Sequence, residues 1–186
     1  MAKAAASAAR RDPAHAGETF QARGVTLAVL PGAERISLRA PAASVGTLSK
    51  ALGVELPRKP KSSASKGGRT AMWLGPDEWF VFDEPGKDPL ADLAGVSELH
   101  SAVGISHRNV AMSVTGPAAA ATVNAGCPQD LSLKAFPVGA ASRSVLGKVE
   151  IVLLRTADDT FRVECWRSFS DYVWTFLTEA AKDAAA

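Results

Sequence analysis

Alternation and helical spacing divide this chain into short, regular elements. "VTLAVLPG" (Val25 to Gly32) and "ERISLRA" (Glu34 to Ala40) read as strands flanking a Pro-Gly turn. Pro41 suits the first turn of a helix in which Val45, Leu48 and Leu52 share one face and Gly53 is the stop. "RTAMWLG" and "EWFVFDE" form a hairpin about a Gly-Pro-Asp-Glu turn. A short amphipathic helix, "DPLADLAGVSEL", follows with Asp88 as N-cap and Pro89 at N1. "SAVGISHRNVAMSVTG" reads as one long strand bulged near Gly104, and "PAAAATVNAG" as a helix begun by Pro117 and stopped by Gly126. "RSVLG", "VEIVLLRT" and "TFRVECW" read as strands, the last two joined by the turn "ADD". The closing helix has Ser168 or Ser170 as cap and an apolar stripe of Phe169, Tyr172, Val173, Phe176 and Leu177.

Both halves run strand, helix, loop, strand hairpin, helix, which predicts a duplicated α+β unit with each sheet burying one face against helices. Residues 25–186 form a single domain in this reading, with halves at about 25–99 and 100–182. Residues 1–24 are Ala-rich with Lys3, Arg10 and Arg11, and lack the apolar core of a secretory signal. They read as a mobile tail, a short transit peptide being the other reading. "LPRKPKSSASKGGRT" has no periodicity and reads as an exposed basic loop, since it lacks the Gly-x-x-x-x-Gly-Lys-Ser/Thr spacing of a phosphate loop.

Composition narrows the classes. A net charge of +2, from 21 basic and 19 acidic residues, demands neither nucleic acid nor an anionic membrane. Two cysteines are too few for a disulfide framework and fit a reducing, cytoplasmic compartment. No apolar run reaches the roughly 18 residues of a membrane span.

The candidate chemistry is sparse. Asp77 and Glu78 are adjacent, so on a strand they point to opposite faces and cannot flank one bond; they read as turn residues. His100 and His107 have no neighbouring ligands at metal spacing. Cys165 reads as a buried small hydrophobe, and a Cys127–His107 nucleophile pair stays open because spacing does not give adjacency. Trp73 and Trp79 read as a cross-strand pair, with cofactor stacking or partner surface as alternatives. The candidate partner interface is Trp73, Trp79, Arg108, Arg167 and Trp174, with Arg155 as a further source of charge, because Trp and Arg are enriched at hot spots.

"WLGPDEWFVF", "GISHRNVAMSVTGPAA", "CPQDLSLKAFPVG", "SRSVLGKVEIVLLR" and "TFRVECWRSFSDYVWTFL" occur in an order that resembles the gamma subunits of heterotetrameric sarcosine oxidases, over residues 25–180. The Leu-Gly-Pro-Asp-Glu-Trp turn, the Phe-Pro-x-Gly loop and the Arg-Ser-Phe-x-Asp-Tyr-x-Trp segment are its most specific parts. That family is similar to the folate-binding domain of glycine-cleavage aminomethyltransferases, a fold of duplicated ferredoxin-like units. The resemblance implies alpha, beta and delta partner subunits and a complex that oxidatively demethylates sarcosine to glycine. It implies FAD, FMN and NAD on alpha and beta, zinc on delta, tetrahydrofolate as one-carbon acceptor, and no cofactor on this chain.

Where an aminomethyltransferase reads Asp-Leu-Ser, this chain has Gly104-Ile105-Ser106. Where it reads Asp-Asp after a glycine turn, this chain has Gly147-Lys148-Val149-Glu150. One acid, Glu150, is left there to handle a proton or amine. The reading is therefore a non-catalytic structural subunit, with no catalytic residues of its own, that supports assembly and channelling of the one-carbon intermediate. The alternatives are a free-standing folate-binding or aminomethyltransferase-like enzyme using Glu150, and an adaptor for another N-methyl amino acid oxidase.

Overall fold

The computed structural model describes residues 14–83 and 87–184. Among the described residues, eleven strands form two sheets. The six-stranded sheet contains β1 (Thr19–Ala22), β2 (Val25–Val29), β8 (Asn109–Thr115), β9 (Ala141–Leu146), β10 (Val149–Ala157) and β11 (Thr160–Trp166), in the order β1-β2-β8-β11-β10-β9. The five-stranded sheet contains β3 (Glu34–Arg39), β4 (Ser63–Lys66), β5 (Arg69–Gly75), β6 (Glu78–Asp83) and β7 (Ser101–Gly104), in the order β4-β5-β6-β3-β7. Every recorded pairing is antiparallel. Setting β9-β10-β11-β8-β2 beside β4-β5-β6-β3-β7 gives the same spatial order twice, which is the duplication expected from the element sequence.

Helices cover the outer faces. Helix α1 (Val45–Leu52) buries Val45, Leu48 and Leu52, and α2 (Pro89–Leu93) buries Leu93, against Ile36, Leu38, Trp79 and Val81 of the five-stranded sheet. Gly53 ends α1 in a left-handed conformation, and the Asp88 carboxylate caps α2 by accepting from Leu90 N and Ala91 N. Helices α3 (Ala119–Asn124) and α4 (Ser170–Ala184) cover Leu27, Met112, Leu153 and Val163 of the other sheet. A short 3-10 turn, Arg167–Phe169, precedes α4. The inner faces meet through a smaller apolar cluster that includes Met72, Phe80, Phe82, Val152 and Leu154. Strands β5, β6 and β10 therefore supply alternate residues to an outer and an inner core, and neither face of these strands is a water face.

Three features depart from the expectations. "SAVGISHRNVAMSVTG" is two strands: β7 closes one sheet, the chain turns through 105–108, and β8 enters the other sheet. Ser106 fixes this crossing, accepting from Arg35 N at 2.8 Å and donating to Glu34 Oε2 at 2.8 Å. The sheets accordingly exchange strands across the sequence halves, because β2 completes the second sheet and β7 the first. Within the basic loop, residues 63–66 form edge strand β4, paired with β5 across Gly67 and Gly68. Both glycines have positive φ, +59° and +85°, the backbone of a tight hairpin turn compatible with strand twist. Finally, residues 19–22 form β1 and so do not belong to a tail. His15 bridges Glu18 at 2.9 Å and Asp171 at 2.8 Å and stacks on Trp174; residues 1–13 lie outside the described residues.

Candidate functional site

The polar features of the molecule concentrate between the sheets. Inward-facing residues of β3, β6, β8, β9, β10 and β11 wall a cavity of about 220 Å³ that includes Ser37, Glu78, Asn109, Arg143, Glu150 and Glu164. Apolar walls come from Phe80, Ile105 and Val152, and the rim carries Arg108 and Trp166.

Two ion-pair networks cross this space. In the first, Glu164 of β11 is 1% exposed and accepts from Arg35 Nε of β3 at 2.9 and 3.2 Å. Glu164 also accepts from Arg162 at 2.6 and 2.9 Å, while the Arg162 guanidinium lies 4.2 Å from the Phe82 ring centre. In the second, Glu78 of β6 accepts from Arg143 of β9 at 2.5 Å and from Arg39 of β3 at 3.0 Å. Arg143 also lies 3.7 Å from Glu150. Each network ties one sheet to the other; around Arg35 and Glu164 water is largely excluded, so loss of one partner there strands a charge, whereas Arg39 and Arg143 of the second network stay in contact with solvent.

Glu78 corrects the turn reading of the acidic pair. Its neighbour Asp77 is exposed and meets only Arg39, at 3.3 Å, as a turn residue does. Glu78 begins β6 and points inward. The hydrogen bond from Arg143 is the largest cause holding its carboxyl below the ordinary value of 4.5; burial opposes this, and the charge of Arg39 reinforces it. A depressed folded value means that the stabilisation is complete above the unfolded value and is lost as pH falls through the folded one. Denaturant titrations from pH 6 to 3 will therefore show a smaller acid-side loss in Glu78→Gln than in the native sequence. Identical pH slopes for the two proteins would rule out this clasp.

The proposed interface residues separate. Trp79 is 1% exposed and packs beneath α1, its indole N–H donating to Pro57 O at 2.7 Å, so it presents no surface to a partner. It does stand opposite Trp73 in the strand register, as the hairpin expectation required, and Trp73 is half-buried. Trp174 is half-buried against the core under α4. Arg155 is also internal, donating to Leu131 O and Asp158 O and lying 4.4 Å from the Phe161 ring centre. It secures the loop that carries the Phe-Pro-x-Gly segment.

Arg108 and Arg167 do come together, because Arg167 N donates to Arg108 O at 2.6 Å. Between them in this cluster lies Trp166, 41% exposed, with the Arg108 guanidinium 4.9 Å from its ring centre and Phe169 stacked at 6.1 Å. Trp166 and Phe169 were legible as aromatics beside the last helix, but only the fold places Trp166 at the cavity rim, with Phe169 stacked on it.

The remaining candidates are inert or scattered. Burial, and then the charge of Glu164, push the Cys165 thiol up to about 12, which removes its nucleophilicity near neutral pH. Cys127 is buried with its sulfur 3.4 Å from the Ser144 hydroxyl, whereas His107 is exposed. Among the described residues no three metal-type ligands converge, and no helix is long and apolar enough to cross a membrane.

Comparison with known proteins gives this geometry a context. The model of the sarcosine oxidase, gamma subunit family matches residues 35–183. The chain is 30% identical over 189 residues to sarcosine oxidase subunit gamma of Corynebacterium sp. (strain U-96), covering 95% of this chain and 92% of that protein. It is 29% identical over 187 residues to the subunit of the same name from Arthrobacter sp, with 95% and 92% covered. A chain of the heterotetrameric sarcosine oxidase from Corynebacterium sp. U-96, solved in complex with pyrrole 2-carboxylate, matches with a TM-score of 0.86 at 30% identity, covering 95% of this chain and 97% of that one. The glycine cleavage system aminomethyltransferase T from Bartonella henselae matches with a TM-score of 0.65 at 16% identity, over 88% of this chain and 49% of that one, and so shares the α+β fold. With the family model spanning most of the sequence and the fold agreeing, this chain belongs to the sarcosine oxidase gamma subunit family.

Proposed function

We propose that this chain is the structural, non-catalytic subunit of a heterotetrameric, flavin-dependent sarcosine oxidase. It docks on alpha and beta subunits, which carry FAD, FMN and NAD, and on a delta subunit, and walls part of the route of the one-carbon intermediate. The observation that carries this reading is the exposed Arg108–Trp166–Phe169 cluster, with Arg167 beside it. Stacked aromatics and guanidinium groups at a rim are the composition of an interface hot spot. The inward carboxylates Glu78 and Glu164 fit a structural role, each being held by two guanidinium groups.

Folate, which the aminomethyltransferase resemblance brings with it, does not fit the cavity around Glu78 and Glu164. About 220 Å³ is below the roughly 300–1,000 Å³ of pockets that enclose drug-sized ligands. The Glu78–Arg143 pair also spans the gap between the sheets. Glu150 is the residue on which a folate enzyme would depend, and its side chain is 52% exposed at the mouth. Saturable tetrahydrofolate binding by the chain, abolished by Glu150→Ala, would favour that enzyme instead.

Co-expression with the candidate alpha and beta chains, followed by sizing and flavin absorbance, tests the subunit reading. The chain is expected to elute with the yellow fraction. Trp166→Ala with Phe169→Ala will weaken that association about thirtyfold or more, the scale of one hot-spot residue at ~2 kcal/mol. Both rings are more than 40% exposed, so the variant folds and the readout is assembly. Unchanged co-elution at limiting concentration would remove this face from the interface.

A further inference from the structure

The basic loop ahead of the β5–β6 hairpin takes no part in the ion-pair networks. From Pro57 to Gly68 it carries Arg58, Lys59, Lys61 and Lys66 and no acid. All four are exposed, and none forms a salt bridge among the described residues. Lys87 lies beside them and donates to Gly67 O. The acids nearby are already engaged: Asp130, within the field of Lys61, accepts from Ser132 N at 2.8 Å, Asp88 caps α2, and Asp92 pairs with Arg69. The loop is also pinned. Pro57 O accepts from the Trp79 indole at 2.7 Å, Ser62 Oγ donates to Lys59 O at 2.5 Å, and Ser63 Oγ donates to Gly139 O at 2.6 Å. Lys61 has a φ of +56°, a strained conformation that persists only where its surroundings fix it. The charges therefore project from an ordered backbone, which lowers the cost of ordering them on a partner.

A sheet edge runs through the same surface. Strand β4 is the last of its sheet and pairs with β5 alone. Ser62 O accepts from Trp73 N at 3.0 Å, and hydrogen-bonded positions recur at every second residue of an antiparallel pair. Ala64 and Lys66 therefore bond to β5, and the main-chain N–H and C=O groups of Ser63 and Ser65 point to the free edge. The Ser65 and Thr70 hydroxyls, 2.8 Å apart, agree with this, since side chains approach most closely at a pair that is not hydrogen-bonded. Such an edge accepts a further strand through main-chain bonds. Lysines along it oppose pairing with a like-charged strand, and a second copy of this chain would bring its own Lys61 and Lys66 against them. A phosphate backbone is a poorer match as well, because it offers acceptors to the edge and no donors for its carbonyls.

We propose that β4 is a docking edge for an extended acidic segment of a partner protein. The segment adds as an outer strand, its main chain bonded to Ser63 and Ser65 and its carboxylates set against Lys61 and Lys66. Four residues at ~3.3 Å each give about 13 Å of edge, which fits a short strand. Ala64 and Lys66 share one face of β4, so acids at alternate positions of the incoming segment meet Lys66. This edge shares no residue with the Arg108–Trp166 rim and does not depend on the partner being a flavoprotein.

Fluorescence anisotropy of a fluorescein-labelled peptide of alternating glutamate and valine, titrated with the full chain, tests the edge. Saturable binding is expected, weakening as salt is raised. Lys61→Glu with Lys66→Glu will weaken it about tenfold or more by placing like charges across the pairing. Lys148→Glu with Lys182→Glu changes the net charge equally at exposed sites outside the loop and will leave it unchanged. Ser65→Pro keeps every charge and removes a free-edge donor, a change that edge strands tolerate, and will also weaken binding about tenfold, with its melting curve as the folding check. The same peptide N-methylated at alternate residues will lose its binding to the native chain. No saturable binding, equal weakening by the Lys148 and Lys182 changes, or undiminished affinity of the N-methylated peptide would each overturn the proposal. Tighter binding of duplex DNA than of the peptide would assign the loop to nucleic acid instead, and a dimer abolished by Ser65→Pro would make a second copy the occupant. Assembly with flavoprotein chains is read by sizing and this edge by the peptide, so failure of one leaves the other standing.

Discussion

Arg69→Leu will destabilise the protein by about 3–5 kcal/mol, the cost of leaving a buried charge without its partner. Asp83 is 0% exposed and receives two bonds from Arg69, from Nε to Oδ1 and from NH2 to Oδ2, each at 2.7 Å. The pair is formed by residues directly opposite in the β5–β6 register. Arg69 NH1 further donates to Leu52 O, so the same guanidinium holds the last turn of α1. The bond to Asp92 contributes less, since that carboxylate is 47% exposed and its partner competes with water. Domains have about 5–15 kcal/mol of stability in total, so this one change consumes a large part of it. In thermal unfolding the midpoint will fall by roughly 10 °C, at ~2–4 °C per kcal/mol for a chain of this size. Adding Asp83→Leu will restore much of the loss, because a fully apolar pair carries no stranded charge. A loss below about 1 kcal/mol for Arg69→Leu would mean that water reaches Asp83.

Glu164→Leu will cost about as much, roughly 3–5 kcal/mol, and for a different part of the fold. Here the pair joins two sheets: Arg35, 2% exposed, comes from β3 and Glu164 from β11. Removing the carboxylate leaves Arg35 and Arg162 facing each other across a buried space with only the Ala33 carbonyl as a further acceptor for Arg35. The double variant Arg35→Met with Glu164→Leu will be markedly more stable than Glu164→Leu alone. The double-mutant cycle isolates the coupling, with about 0.5–3 kcal/mol expected for residues in one network. A cycle that closes to within about 0.3 kcal/mol would show that the sheets are held by their apolar contacts alone. Chemical denaturation of all four proteins gives the measurement.

These two arginines show what could be read along the chain. Arg69 follows a Gly-Gly turn and Asp83 ends the facing strand, fourteen positions apart, so the β5–β6 hairpin that was legible from "RTAMWLG" and "EWFVFDE" already aligned them. The helices were legible for the same kind of reason: Val45, Leu48 and Leu52 recur at helical spacing, Gly53 stops the turn and Asp88 caps the next helix. The candidate interface was legible in type rather than place. Arginine and tryptophan were the classes of residue expected there; the fold put Trp79 into the outer core and set Trp166, with Phe169 stacked on it, beside Arg108.

The sequence by itself determined most of the local elements and their repetition, because turns, caps and periodicity act over a few residues; the edge strands β1 and β4 and the break between β7 and β8 depend on pairing with distant strands and were not legible. Which of two faces meets water was another matter. "ERISLR" alternates as a half-exposed strand does, yet its polar residues Arg35 and Ser37 face the second sheet, and its apolar residues Ile36 and Leu38 face the helices. A polar side chain directed at a second sheet and one directed at solvent leave the same pattern in the chain. Glu78 finds Arg143 across 65 positions and Arg35 finds Glu164 across 129, and no short-range rule couples such residues. Only the packing of the two sheets brings these charges together, burying Arg35 with Glu164 where each must have a partner, and it turns Glu78, which read as a turn residue, into a clasp between the sheets.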